Sequence, residues 1–167
     1  MTTADTARTI RPIATAGMTI GIATAGMTIG IGMGGFFDGI LFHQILQIHN
    51  MLSARVPTDT LLGAKVNMVW DGLFHAVVWI VTALGIALLW RAMARTDAVR
   101  SGRVLMGAIL LGFGLFNLIE GIVDHHVLHV HHVYERLGVS AWDYLFLASG
   151  IALIATGWLM IRSVRHP

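Results

Sequence analysis

The chain has 167 residues, of which 56% are hydrophobic and only 12% charged, with a formal net charge of +2 and no cysteine. A soluble domain carries nearer a quarter charged residues. This composition, with a mean hydropathy of +0.74, therefore belongs to a membrane protein with no room for a separate soluble domain. The absence of cysteine excludes disulfides, thiolate metal sites and CxxC redox pairs, and nothing in the composition points to nucleic acid.

Residues 1–13 are polar, with Arg8 and Arg11, and read as a cytoplasmic tail. ATAGMTIGI then occurs twice in tandem, at 14–22 and 23–31. Nine residues are two and a half helical turns, so the copies face opposite sides of a helix. A face that tolerates such a duplication is expected to make few specific contacts. The arginines, the apolar run and Ala23-Thr24-Ala25 imitate a cleavable signal, but the apolar run continues unbroken past Gly26, which argues against cleavage.

Four spans follow, at about 28–49, 62–90, 104–132 and 141–161, within a single domain of residues 14–162. Each meets the ~20 apolar residues that a bilayer requires. The fold expected is all-α: a polytopic membrane protein forming an antiparallel four-helix transmembrane bundle. Gly26, Gly30, Gly34, Gly35 and Gly39 have the small-xxx-small spacing that lets helices approach closely. Loops are expected at 53–60 and 134–140, and residues 163–167 form a second short tail. With the N-terminus inside, eight basic residues (Arg8, Arg11, Arg91, Arg95, Arg100, Arg103, Arg162 and Arg165) face the cytoplasm and three (Arg55, Lys65 and Arg136) the other side. The positive-inside rule then places both termini in the cytoplasm, as expected for a multi-pass protein of a bacterial inner membrane.

The spans carry ionisable side chains, which are rare at membrane depth because each costs about 2.5–3.5 kcal/mol to insert. Counted from the outer helix ends, Asp38, His75 and Glu120 lie roughly 16–18 Å deep, and His43, Asp71 and His125 about 9–10 Å, at a rise of 1.5 Å per residue. DGILFH (38–43), DGLFH (71–75) and EGIVDH (120–125) each read acid, glycine, apolar residues, histidine. On an ideal helix Asp38 and His43 are about 140° apart, so a distortion at Gly39 is needed to stack them. If the third helix continues to His132, Asn117, Glu120, Asp124 and His131 form one stripe and His125, His129 and His132 another, with His126 pointing backwards.

Imidazoles and carboxylates gathered at one depth suggest a transition-metal site, mononuclear or dinuclear. The candidate ligands are Asp38, His43, His49, Asp71, His75, Glu120, Asp124, His125, His131 and His132. Without sulfur, such a set suits zinc, iron, manganese or copper(II), and would make the protein a membrane hydrolase or oxidoreductase if the metal is catalytic. A metal-free ion-pair network is the competing reading. A haem held by two histidines, such as His43 or His75 with His125, a proton pathway, and a subunit of a larger membrane complex also suit these residues. Against a pathway, the inner halves of the spans are apolar. Taken singly, His49, His131, His132 and Asp143 also suit a watery interface, Asn67, Asn117, Gln44 and Gln47 suit hydrogen bonds between helices, and Met33, Met51 and Met68 suit packing. The partners expected are the lipid bilayer and, through the small-residue faces, a second copy or a membrane-complex partner.

DGILFHQILQIHNML, NMVWDGLFH, GLFNLIEGIVDHHVLHVHHV and the later Trp142-Asp143 together resemble an uncharacterised family of small bacterial inner-membrane proteins, a domain of unknown function. The resemblance runs from about Gly35 to Gly157. It implies four spans and brings no activity with it. His131 and His132 match its pattern and His129 does not.

Overall fold

The computed structural model describes the backbone of residues 3–95 and 101–164, and side chains from Ile20 onward within those ranges. The expected loop around Arg100, the C-terminal Arg165 and the side chains of Arg8 and Arg11 lie outside the described residues. Among the described residues there are four α-helices: α1 (Thr3–Asp38), α2 (Leu61–Met93), α3 (Gly102–Glu120) and α4 (Ala141–Arg162). All four are long and apolar enough to cross a membrane, and among the described residues there is no strand. α1 is helical from Thr3, so both nonapeptide copies belong to one continuous helix. α2 and α3 begin where a hydroxyl accepts an otherwise unpaired amide, Thr60 from Gly63 and Ser101 from Val104. At α4 the Asp143 carboxylate reaches back to the Ser140 amide at 2.8 Å.

The helices stand in the order α2, α1, α3, α4: α1 packs on α2 and α3, α3 packs on α4, and the outer two do not meet among the described residues. Glycines set the spacing. A Cβ on Gly30 would collide with the Ile109 carbonyl of α3, and one on Gly112 with the Met27 carbonyl of α1. Contacts advance together along α1 and α3, from Gly26–Ala108 to Gly34–Phe116, so the central pair is parallel. Along α1 and α2 they run in opposite senses, from Gly21–Ala92 to Gly39–His75. The second nonapeptide copy therefore does make specific contacts, through Gly26 and Gly30. Where glycine lets backbone meet backbone, a helix face needs no distinctive side chain to pack closely.

These contacts obey a pseudo-two-fold relation. A shift of 82 residues carries DGILFHQILQIH (38–49) onto EGIVDHHVLHVH (120–131), and a shift of 72 carries WDGLF (70–74) onto WDYLF (142–146). The packing follows the same shifts. Gly32 meets Thr82 as Gly114 meets Ile154, Gly85 meets Ile29 as Gly157 meets Leu111, and Gly39 meets His75 as Gly121 meets Leu147. The bundle is two helical hairpins related by an axis along the shared direction of α1 and α3.

Candidate metal centre

Both central helices change character at an acid-glycine step. After Asp38 the chain continues as a π-helical segment, Gly39–Ile45, and after Glu120 as another, Gly121–Val127. The i→i+5 hydrogen bonds of a π-turn add a residue per turn, which brings the residue five positions on back over the acid. His43 Nε2 thus lies 3.0 Å from Asp38 Oδ2, and donor atoms of Glu120, His125 and His131 lie within 4.8 Å of one another. The widening that aligns His125 with Glu120 carries Asp124 out of register. Asp124 is half-buried and joins no cluster of potential ligands among the described residues.

Beyond these turns the chain leaves the helix, so the helices end at Ile45 and Val127, short of the expected His49 and His132. Gln47 and His129 take matching left-handed conformations, φ 50° and 48°, uncommon for residues with a side chain. Each turns the backbone so that the histidine two residues later folds back inward. There the halves cross: His49 Nδ1 donates to the Val133 carbonyl at 3.0 Å, and His131 Nδ1 to the Met51 carbonyl at 3.2 Å. The amides of Ala54 and Glu135 close the crossing on the carbonyls of Val130 and Ile48. The stripe expected through Asn117, Glu120, Asp124 and His131 is therefore corrected. His131 reaches Glu120 by a reversal of the chain, with 3.4 Å between His131 Nε2 and Glu120 Oε1.

The outcome is six inward-facing groups, three from each half: Asp38, His43 and His49, and Glu120, His125 and His131. All are at most 5% exposed. A carbonyl can only accept, so His49 and His131 carry a proton on Nδ1 and, in the neutral ring, present a lone pair at Nε2. Asp71 Oδ1 holds His43 Nδ1 in the same way at 2.9 Å. Asp143 Oδ1 stands 3.2 Å from His125 Nδ1, a short contact that is misaligned for a hydrogen bond, since that nitrogen has no such partner. The four Nε2 atoms, Asp38 Oδ2 and Glu120 Oε2 also lack hydrogen-bond partners. Burying polar groups in that state is costly unless something satisfies them. The rings crowd together, with centroids 4.5 Å apart for His43 and His49, 4.7 Å for His49 and His131 and 4.9 Å for His125 and His131. Burial drives the His131 imidazole well below the usual histidine range, and His49 and His125 push the same way.

Around the six stand their supports. Asp71 also accepts from Asn50 Nδ2 at 2.7 Å and the Met51 amide at 2.9 Å, and Asp143 from the Val133 amide at 3.1 Å. Asp143 is 0% exposed, which corrects its reading as an interfacial residue in water. His49, His131 and His132 are buried as well. The repeated Trp-Asp-x-Leu-Phe was the signal that could have paired Asp143 with Asp71. His75 is not brought into the cluster: it sits a turn beyond Asp71, with Nδ1 donating to the Asp71 carbonyl at 2.7 Å and its ring against Gly39. His132 also stays outside, with Nδ1 3.6 Å from Asp143 Oδ1. His126 turns away, as expected, to the Gly121 carbonyl. Asn67 ties the Leu52 amide and Val56 carbonyl to α2, and Asn117 reaches Ser149 of α4. Gln44 Nε2 is 3.4 Å from Asp71 Oδ2, while Met33 and Met68 are exposed on the outer surface of the bundle.

Residues 25–164 match the family described as "Predicted membrane protein (DUF2243)", and the chain belongs to that family. No curated protein and no solved structure matches the chain significantly.

Proposed function

We propose that this membrane protein is a metal protein, with a transition-metal centre held in one half of the bundle by Asp38, His43, His49, Glu120, His125 and His131. The observation that carries the reading is the set of four histidine Nε2 atoms, buried and without hydrogen-bond partners, gathered around two carboxylates. His43 supplies the sharpest instance. With one proton on Nδ1 toward Asp71, the neutral ring would present a lone pair to a carboxylate oxygen at 3.0 Å. Two acceptors at that distance repel unless a cation lies between them.

The competing reading replaces the metal by protons on the imidazoles. Cationic rings less than 5 Å apart repel one another, and the carbonyl-anchored His49 and His131 have no hydrogen-bond acceptor at Nε2, so the ion is favoured. Haem is the alternative cofactor. Donor atoms within 4.8 Å of one another on two crossed segments suit an ion better than a macrocycle that would have to pass between them. Zinc here would activate water for hydrolysis, and iron or copper would serve oxidation or electron transfer.

We read both termini as cytoplasmic, in a bacterial inner membrane, from the positive-inside distribution of charge; the centre then lies in the outward half of the bundle. The test is elemental analysis with an absorption spectrum of protein purified in detergent. Stoichiometric transition metal, lowered in His43→Ala, is expected. A Soret band would turn the reading to haem, and metal-free protein would end it.

A further inference from the structure

The pseudo-two-fold axis passes between Asp38 and Glu120, so each half delivers the same ligands: one carboxylate and two imidazoles. In the first half, Asp38 Oδ2 is 3.0 Å from His43 Nε2 and 3.8 Å from His49 Nε2. In the second, Glu120 Oε1 is 3.4 Å from His131 Nε2, and all three donors lie within 4.8 Å of one another. Ligands about 2.1 Å from one ion stand roughly 3.0–3.5 Å apart, and the carboxylate–imidazole pairs of the two sets, at 3.0, 3.8 and 3.4 Å, come close to that spacing. Two imidazoles and one carboxylate leave positions open on a divalent ion such as iron(II).

Charge gives an independent count. Four buried carboxylates serve the centre: Asp38, Asp71, Glu120 and Asp143. Among the described residues their ionic partners are histidines, with no lysine or arginine. If the histidines are neutral, as ligation requires, one divalent ion offsets half of that charge and two offset all of it. A buried charge left without compensation is strongly disfavoured.

We propose that the centre is dinuclear, with one divalent transition ion held by Asp38, His43 and His49 and a second by Glu120, His125 and His131. The ions face each other across the pseudo-two-fold axis. The two sets also touch: His131 lies within 4.8 Å of His43 and His49, and Glu120 within 4.8 Å of Asp38 and His43, counted between donor atoms. Sets in such contact would hold their ions side by side, the arrangement of two-metal sites. The proposal rests on the metal reading above and adds to it the number of ions and the division of ligands.

The experiment uses the full chain in detergent, stripped with chelator and reloaded anaerobically with manganese(II). Metal per chain is read by elemental analysis and magnetic coupling by electron paramagnetic resonance. Wild type is expected to bind two ions and to show an exchange-coupled spectrum. Asp38→Ala and Glu120→Ala should each bind one ion and show the hyperfine pattern of isolated manganese(II). Asp38→Glu, which keeps the carboxylate, should restore two, and helical circular dichroism checks that each variant is folded. One ion in wild type, or loss of both ions in a folded single-half variant, would overturn the dinuclear assignment while leaving the metal reading standing. No manganese in the reloaded protein, together with no transition metal in the protein as purified, would overturn both.

Discussion

In the first half of the bundle Asp71 is gripped by side-chain amides, Asn50 at 2.7 Å and Gln44 at 3.4 Å, together with the Met51 amide. In the second, Asp143 takes backbone amides, those of Val133 and Ser140. The positions of Gln44, Gln47 and Asn50 are held there by His126, His129 and His132. The two halves share the inner acid, its glycine, the two inward histidines and the supporting aspartate, and they differ in what surrounds these groups. The run of histidines at 125–132 therefore overstates the role of the second half. Three of those five histidines stand where the first half manages with neutral amides, and the candidate ligands are as many in one half as in the other.

The strongest way to break this equivalence is to remove both inner acids. Asp38→Ala combined with Glu120→Ala is expected to abolish metal binding, as read by elemental analysis, with helical circular dichroism retained. Metal at the wild-type level in that variant would place the ligands elsewhere. The supporting aspartates give a graded version. Partners that fix the free nitrogen of a metal-bound imidazole change affinity by about 10–100-fold. Asp71→Asn and Asp143→Asn should each weaken binding by that order in a competition titration, and a loss confined to one of them would show that the halves are not equivalent.

Packing at the axis tests the same symmetry without metal. Gly30→Leu and Gly112→Leu each drive a side chain into the carbonyl of the facing helix and should destabilise the bundle by at least the ~1–3 kcal/mol typical of overpacking. Thermal unfolding in detergent should show comparable losses for both. Gly72→Ala, where an added Cβ would meet nothing within 4 Å, should stay within about 0.5 kcal/mol of wild type. Unequal effects of the two leucines would argue against the pseudo-two-fold packing.

The smallest effect is on pH. Because burial and its neighbours hold His131 below the usual range, the folded state refuses a proton that the unfolded chain accepts near pH 6.5. Its contribution is fully present above that unfolded value and declines as pH falls toward the lowered folded one. In chelator-treated protein, the change in unfolding temperature between pH 7.5 and pH 5 should therefore be less destabilising in His131→Gln than in wild type. An unfolding temperature that rises on acidification would mean that the buried imidazoles are protonated. His75→Ala and His126→Ala, outside the cluster, should leave metal content unchanged.

The sequence by itself determined the four spans, because a bilayer rewards runs of apolar residues and penalises charge. For the same reason it marked Asp38, His43, Glu120 and His125 as residues needing compensation. It also contained the repeat of 38–49 at 120–131 and of Trp-Asp-x-Leu-Phe, the signals that tie Asp143 to Asp71 and His49 to His131. The angular positions were not legible, since a phasing of 100° per residue holds only while the hydrogen bonds run i→i+4. Tertiary structure decided where that stops. At Gly39 and Gly121 the flanking helices come close enough to exclude a Cβ, the turns widen, and carbonyls from the opposite half capture His49 and His131. These bonds join residues more than eighty positions apart in one case and eighty in the other, so no local pattern could place His49 and His131 inside the site or leave Asp124 and His75 outside it.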